Sequence, residues 1–189
     1  MDLHYNKHHQ TYITNLNNAL KANDEAIASG NLVKHLELQQ AIKFNAGGHV
    51  NHTLFWESMT PVVAGSDTPS DALAAAIKQR WDTFEAFKAA FEAVALGLQG
   101  SGWIWLVKDL DSNALELTTS KDQDVVPAKK MPIIGLDMWE HAYYLQYFNN
   151  KKQYVNGWWS IVNWRVAEKR FSGGSQDIYG ELAGLSSKL

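Results

Sequence analysis

The sequence predicts an α+β protein: an N-terminal antiparallel α-helical hairpin, then a C-terminal domain of helices around a three-stranded antiparallel sheet. Three observations carry this. Two long segments with helical periodicity come before residue 60, split by the short break Ser29-Gly30-Asn31. The stretch PVVAGSDTPS, residues 61–70, holds two prolines, a glycine and small polar residues, and reads as a boundary. Beyond it, three runs rich in apolar, β-branched or aromatic residues are separated by polar turns. The expected domains are residues 1–62, the hairpin, and residues 70–189, the α/β domain.

Each element has its own signal. Residues 2 to about 23 place Leu3, Tyr12, Leu16, Ala19 and Leu20 at helical spacing. A second helix from about 32 to 59 carries Leu36, Ile42, Phe44, Val50, Leu54, Phe55 and Trp56. Ser70 is the expected cap of a third helix, which runs to about 81. A fourth spans about 84–97 and ends near Gly97 and Gly100. GWIWLVKD is the first strand, Asp111-Ser112-Asn113 the turn, ALELTTS the second strand and PIIGLD the third. The tail is helical again and includes WWSIVNWRVAEKRF.

Composition excludes several classes. With 189 residues, 46% hydrophobic and 8 Trp, the chain can bury a real core and is not disordered. A net charge of -3 and the lack of a basic run with interleaved aromatics argue against nucleic-acid binding. There is no Cys, which removes disulfides, thiolate metal sites, iron–sulfur clusters and cysteine nucleophiles. That fits an intracellular protein. No apolar run is long enough for a membrane span, and MDLHYNKHH has no signal-peptide core, so neither a membrane nor secretion is expected.

Three stretches hold candidate chemistry. In HYNKHHQTY, the residues His4, His8 and Tyr12 are four apart, which puts them within one ~80° sector of a helix. Taken alone, this stretch reads as a solvated polar face. In FNAGGHVNHTLFW, His49 and His52 are neighbours on a helix that also carries Gly47 and Gly48. Two helical glycines each cost ~1 kcal/mol relative to Ala, so close approach of another group is expected there. In DMWEHAYYLQY, Asp137 ends a strand, His141 begins a helix, and Glu140 lies between them among aromatic rings. Alone, that pair reads as a core Asp–His hydrogen bond. Burying charge is costly unless it is paired or bound to a metal. Together, the three segments offer a sulfur-free, His-rich set with one carboxylate, which suits Zn, Fe or Mn. HExxH, GxSxG, P-loop and GxGxxG motifs are absent. The many Trp and Tyr around these stretches suggest a tight cage for a very small substrate and redox chemistry on a diatomic species.

DMWEHAYY resembles the signature of the iron/manganese superoxide dismutases, D-x-W-E-H-A-Y-Y, and matches it throughout. HYNKHHQTY, FNAGGHVNHTLFW and GSGWIWLV are also similar to that family, in the same order and at similar separations. The resemblance covers essentially the whole chain.

That resemblance implies an antioxidant enzyme that dismutes superoxide to dioxygen and hydrogen peroxide at one metal ion per subunit. It implies His4, His52, Asp137 and His141 as ligands, with solvent completing a five-coordinate site, so His8 and His49 are not ligands. It implies that His8 and Tyr12 line the access channel, with Tyr144 beside His8 from a partner subunit. Glu140 would reach across a dimer interface to the partner's His141, and Trp103 and Trp139 would surround the ligands. Gln123 and Tyr12 would link to the bound solvent. Iron-type members carry the solvent-contacting glutamine where this chain has Gly48, and manganese-type members carry it where this chain has Gln123. Manganese is therefore expected, with iron as the alternative, and Gly48 is expected to leave room for Gln123. Lys7 and Lys151 are candidates for steering the anion. A homodimer or homotetramer is implied. Family members carry a short extended segment ahead of the first helix, whereas this chain starts three residues before His4. With no targeting segment in this chain, the expected location is the mitochondrial matrix or the cytoplasm.

Overall fold

The structure, a computed structural model, describes residues 1–62, 68–69, 71–174, 178–179 and 182. The first helix opens with a π-helical turn, His4–His9, and continues as α1, Gln10–Ala28. It runs further than the expected end near residue 23. Gly30, at φ 67°, takes the left-handed conformation that ends a helix without steric cost. The Asn31 side chain then accepts from Lys34 N–H at 3.1 Å and caps α2, Leu32–Glu57. Leu16, Ala19 and Leu20 of α1 pack against Ile42 of α2. A polar tie crosses the same interface near the tip: Asn23 Oδ1 accepts from Gln39 at 3.0 Å and lies 2.7 Å from His35 Nδ1.

The expected Ser70 cap lies outside the described residues, as does most of the proline-rich boundary. Two helices follow, α3 at Asp71–Trp81 and α4 at Phe84–Gly97, the latter capped by Thr83 Oγ1 accepting from Ala86 N–H at 3.0 Å. Strands β1 (Gly102–Asp109), β2 (Leu115–Lys121) and β3 (Lys130–Asp137) form one antiparallel sheet in the order β2-β1-β3. Pro132 cannot donate to a ladder, and it sits where the register with β1 shifts between Leu106 and Val107, on an edge strand. That edge is not exposed. Met131 to Asp137 are all buried, with α2 and the last helix packed against β3.

The tail departs from one continuous helix. It divides into α5 (Glu140–Tyr147), α6 (Lys151–Trp158), a 3₁₀ turn at Trp159–Ile161, and α7 (Trp164–Ser172). Val162 is extended and bridges Met59, while Asn163 turns its side chain to cap α7, accepting from Val166 N–H at 3.3 Å. A cap residue inside the aromatic run therefore outweighs its periodicity. Buried Arg170 closes this region. Its guanidinium donates to Ser58 Oγ (3.0 Å), Ile133 O (3.2 Å), Leu54 O (3.3 Å) and Glu57 Oε2 (2.6 Å). One cation thus satisfies the C-terminal end of α2 and joins it to β3 and α7. Among the described residues, no helix is long and apolar enough to cross a membrane.

Candidate metal centre

The hairpin and the sheet each deliver two side chains to one buried point. His4 comes from the π turn, His52 from the C-terminal half of α2, Asp137 from the last residue of β3 and His141 from the first turn of α5. Asp137 is fully buried and its two oxygens divide the work. Oδ1 accepts from the Trp139 backbone N–H at 2.9 Å, which fixes the corner between β3 and α5. Oδ2 lies 3.1 Å from His4 Nε2, 3.1 Å from His141 Nε2 and 3.6 Å from His52 Nε2. His52 Nε2 is 3.1 Å from His4 Nε2. All four donor atoms lie within 4.8 Å of one another.

This set fits a metal ion. The Gly48 carbonyl, one helical turn back, accepts from His52 Nδ1 at 2.7 Å. A neutral His52 therefore turns its Nε2 lone pair toward the other donors. Ring nitrogens and a carboxylate oxygen crowded this closely call for protons or a cation between them. Nitrogen and oxygen ligands about 2.1 Å from one ion, at 90–120° to each other, would be separated by roughly 3.0–3.6 Å, which the four separations of 3.1–3.6 Å given above match.

Around the four candidate ligands, Gln123 is buried and both ends of its amide are hydrogen-bonded. Trp103 Nε1 donates to its Oε1 at 3.1 Å, and Asn51 Nδ2 reaches the same oxygen at 3.4 Å. An indole N–H can only donate, so the orientation of the amide is fixed and Nε2 faces Tyr12. Nε2 donates to the Tyr12 hydroxyl at 3.0 Å. The Trp103 ring meets His52 edge-on with centroids 5.0 Å apart, and the Trp139 ring stacks on His141 at 5.4 Å. Trp139 is itself held by its indole N–H, which donates to Asp122 O at 3.0 Å. His8, half-buried, stacks on His141 at 4.4 Å.

The glycine pair has the expected reason, close approach of other groups, but the group at Gly48 is Tyr12 and not Gln123. A Cβ on Gly48 would lie 2.5 Å from the Tyr12 ring, and a Cβ on Gly47 would collide with the Gln123 backbone carbonyl. Gly48 leaves room for Tyr12, and Gly47 leaves room for the loop that carries Gln123. The expectation that Gly48 makes space for Gln123 is corrected accordingly.

Other expectations also change. HYNKHHQTY is not a solvated face, because His4 and His9 are buried. Glu140, expected to reach across a dimer interface, is exposed in the single chain, beside Tyr144 (47% exposed), Leu145 (78%) and Phe148 (70%). The π turn explains why His9 escaped the sequence reading. On an α-helix His9 would point ~140° from His4, whereas i→i+5 bonding brings the two to one side. His49, half-buried, is absent from the converging donor set and lies 2.9 Å from His9 Nε2. Lys7 is exposed, and Lys151 Nζ lies over the Tyr143 ring at 5.7 Å.

Burial dominates the electrostatics. It pushes His52 down to about 3 and His9 down to about 4, and it lowers His8 and His49, so these rings are neutral near pH 7. Burial alone would raise Asp137, but the hydrogen bonds and charges of His141 and His4 hold it well below the usual carboxylate range. Burial pushes Tyr12 up to about 12, with Asp137 and Asp122 adding to the rise and the Gln123 hydrogen bond opposing it. Its phenol keeps its proton.

Two helices and a sheet corner that converge three imidazoles and one carboxylate on one buried point fit a mononuclear metalloprotein. Comparison with known proteins makes this specific. Residues 1–60 match the alpha-hairpin domain of the iron/manganese superoxide dismutases, and residues 69–170 match their C-terminal domain. The chain is 50% identical over 190 residues to "Superoxide dismutase [Mn], mitochondrial" of Neurospora crassa, covering 98% of this chain and 78% of that protein. It is 53% identical over 177 residues to the protein of the same name from Aspergillus oryzae, covering 92% and 84%. Against the Schizosaccharomyces pombe protein of that name, identity is 47% over 176 residues, covering 91% and 78%. The chain belongs to the iron/manganese superoxide dismutases.

Proposed function

We propose that the protein is a manganese superoxide dismutase whose metal is held by His4, His52, Asp137 and His141. The observation that carries this reading is the convergence of three Nε2 atoms and one Asp137 oxygen, with the His52 tautomer fixed by Gly48 O. Manganese bound there would supply reversible one-electron chemistry, accepting an electron from one superoxide, which leaves as dioxygen, and giving one to a second, which takes up two protons and leaves as hydrogen peroxide. Manganese is favoured over iron by two features. The buried amide comes from Gln123 in the loop before β3, and Gly48 offers none; the relatives above also carry manganese in their names.

The chain's own groups do the rest. Asp137 stays ionised and offsets part of the metal's charge. Gln123 Nε2 donates one hydrogen to Tyr12 and has a second for the site, while its oxygen is occupied by Trp103 and Asn51. Tyr12, protonated and accepting from Gln123, can hold or pass a proton beside the ligands. Trp103, Trp139 and His8 wall the ligands closely. Lys7 and Lys151 supply local positive potential on a chain of net charge -3.

Assembly belongs to the same reading. Glu140, Tyr144, Leu145 and Phe148 form an exposed face on α5 beside His141. A carboxylate among exposed apolar residues suits a second copy of this chain, with Glu140 meeting the partner's His141 and Tyr144 completing the channel beside His8. The relatives' names place them in mitochondria, and we assign this protein to the same compartment. The function is tested by measuring superoxide consumption before and after Gln123→Ala. The variant should fold, keep its metal and lose roughly 10-fold or more of its turnover. Near-normal turnover would remove Gln123 from the proton path.

A further inference from the structure

We propose that His9 is a positioning residue for the metal centre, joined with His49 and Trp56 in a hydrogen-bonded brace between the two hairpin helices. The proposal rests on His4 and His52 being manganese ligands. Trp56 Nε1 donates to His9 Nδ1 at 3.0 Å, and His9 Nε2 lies 2.9 Å from His49 Nδ1. An indole N–H is a donor only, so His9 Nδ1 must accept. A neutral His9 then carries its hydrogen on Nε2 and donates it to His49 Nδ1. Only one order of donors and acceptors satisfies all three groups.

The brace joins the elements that carry two of the ligands. His9 and His4 share the π turn, while His49, His52 and Trp56 share α2. Both ligand rings rest on brace members. His9 lies nearly parallel to His52, at 15° with centroids 5.4 Å apart. Trp56 meets His4 edge-on at 4.9 Å and 74°. Buried apolar side chains would fill the same space without fixing direction. Hydrogen bonds fix direction, and orientation of ligand rings by surrounding groups governs metal affinity. Neither His9 nor His49 belongs to the converging donor set, so their burial is not explained by ligation.

Three variants test this. His9→Met keeps bulk and removes both bonds. His9→Gln offers an acceptor oxygen and a donor N–H in the same order. Trp56→Phe keeps a ring and removes only the donor. The readouts are manganese affinity of the metal-free protein by chelator competition, the visible absorption of the manganese(III) form, and thermal unfolding of the metal-free protein. His9→Met and Trp56→Phe should bind manganese about 10–100-fold more weakly with a shifted absorption, and His9→Gln should recover most of the affinity. Wild-type affinity and absorption in His9→Met and Trp56→Phe, even with a lower melting temperature, would overturn the brace. If His9→Met does not fold, Trp56→Phe decides. Wild-type protein that binds manganese while the variants match it sinks the brace alone; wild-type protein that binds none sinks the functional reading and the brace together.

Discussion

At Gly48 a single hydrogen atom decides the geometry of the centre. The Tyr12 ring occupies the space a side chain would take, with 2.5 Å between its carbons and an added Cβ. Helix propensity alone favours Ala at this position by ~1 kcal/mol, so the packing term must win for Gly to be the better residue. Gly48→Ala should destabilise the protein by about 1–3 kcal/mol, read from urea unfolding, and should lower dismutase turnover because Tyr12 is displaced from Gln123. An unchanged midpoint with full turnover would mean that Tyr12 has room to move. Much at this scale was legible in advance. His4, His52, Asp137 and His141 lay in quoted motifs, and the helical glycine pair announced a close approach. The identity of the approaching group was not legible, because it depends on how α1 and the loop before β3 pack on α2. Nor was His9, whose phase is set by a π turn that no hydrophobic period marks.

At the scale of elements, the hairpin and the sheet are held in register by one buried cation. Arg170 supplies donors to two carbonyls, a hydroxyl and the Glu57 carboxylate, at the point where α2 ends. Removing it takes the donor from Ile133 O and four bonds from this junction, although Leu54 O still accepts from Ser58, and a buried acceptor left unpaired costs about 1–3 kcal/mol. Arg170→Met should lower stability by about 3 kcal/mol, seen as a reduced urea midpoint at unchanged slope. A loss below about 0.5 kcal/mol would show that water replaces the guanidinium. Helices α1 to α4 and all three strands could be read from periodicity, caps and turn residues, usually within a few positions. The tail could not. Apolar spacing across WWSIVNWRVAEKRF continues through Val162 and Asn163, and only the pairing with Met59 and the Asn163 cap reveal the break.

At the scale of the whole molecule, two candidate ligands from the hairpin and two from the sheet corner would make metal binding and domain packing one event. The proposed assembly through the exposed face on α5 would extend this to a second copy. Among the described residues Glu140 has no ion pair or hydrogen bond within the chain, although it is adjacent to ligand His141. Periodicity does not separate such a residue from an ordinary surface glutamate; the match of DMWEHAYY to a family signature singles it out. Glu140→Ala should weaken the assembly, with light scattering showing a shift toward the single-chain mass at low concentration; an unchanged mass would remove Glu140 from the interface. One manganese ion held between hairpin and sheet corner would unite these features, and elemental analysis of the purified protein decides it. Close to one manganese per chain and little iron is expected. Close to one iron would contradict the metal assignment, and neither metal in a folded protein would contradict the centre itself.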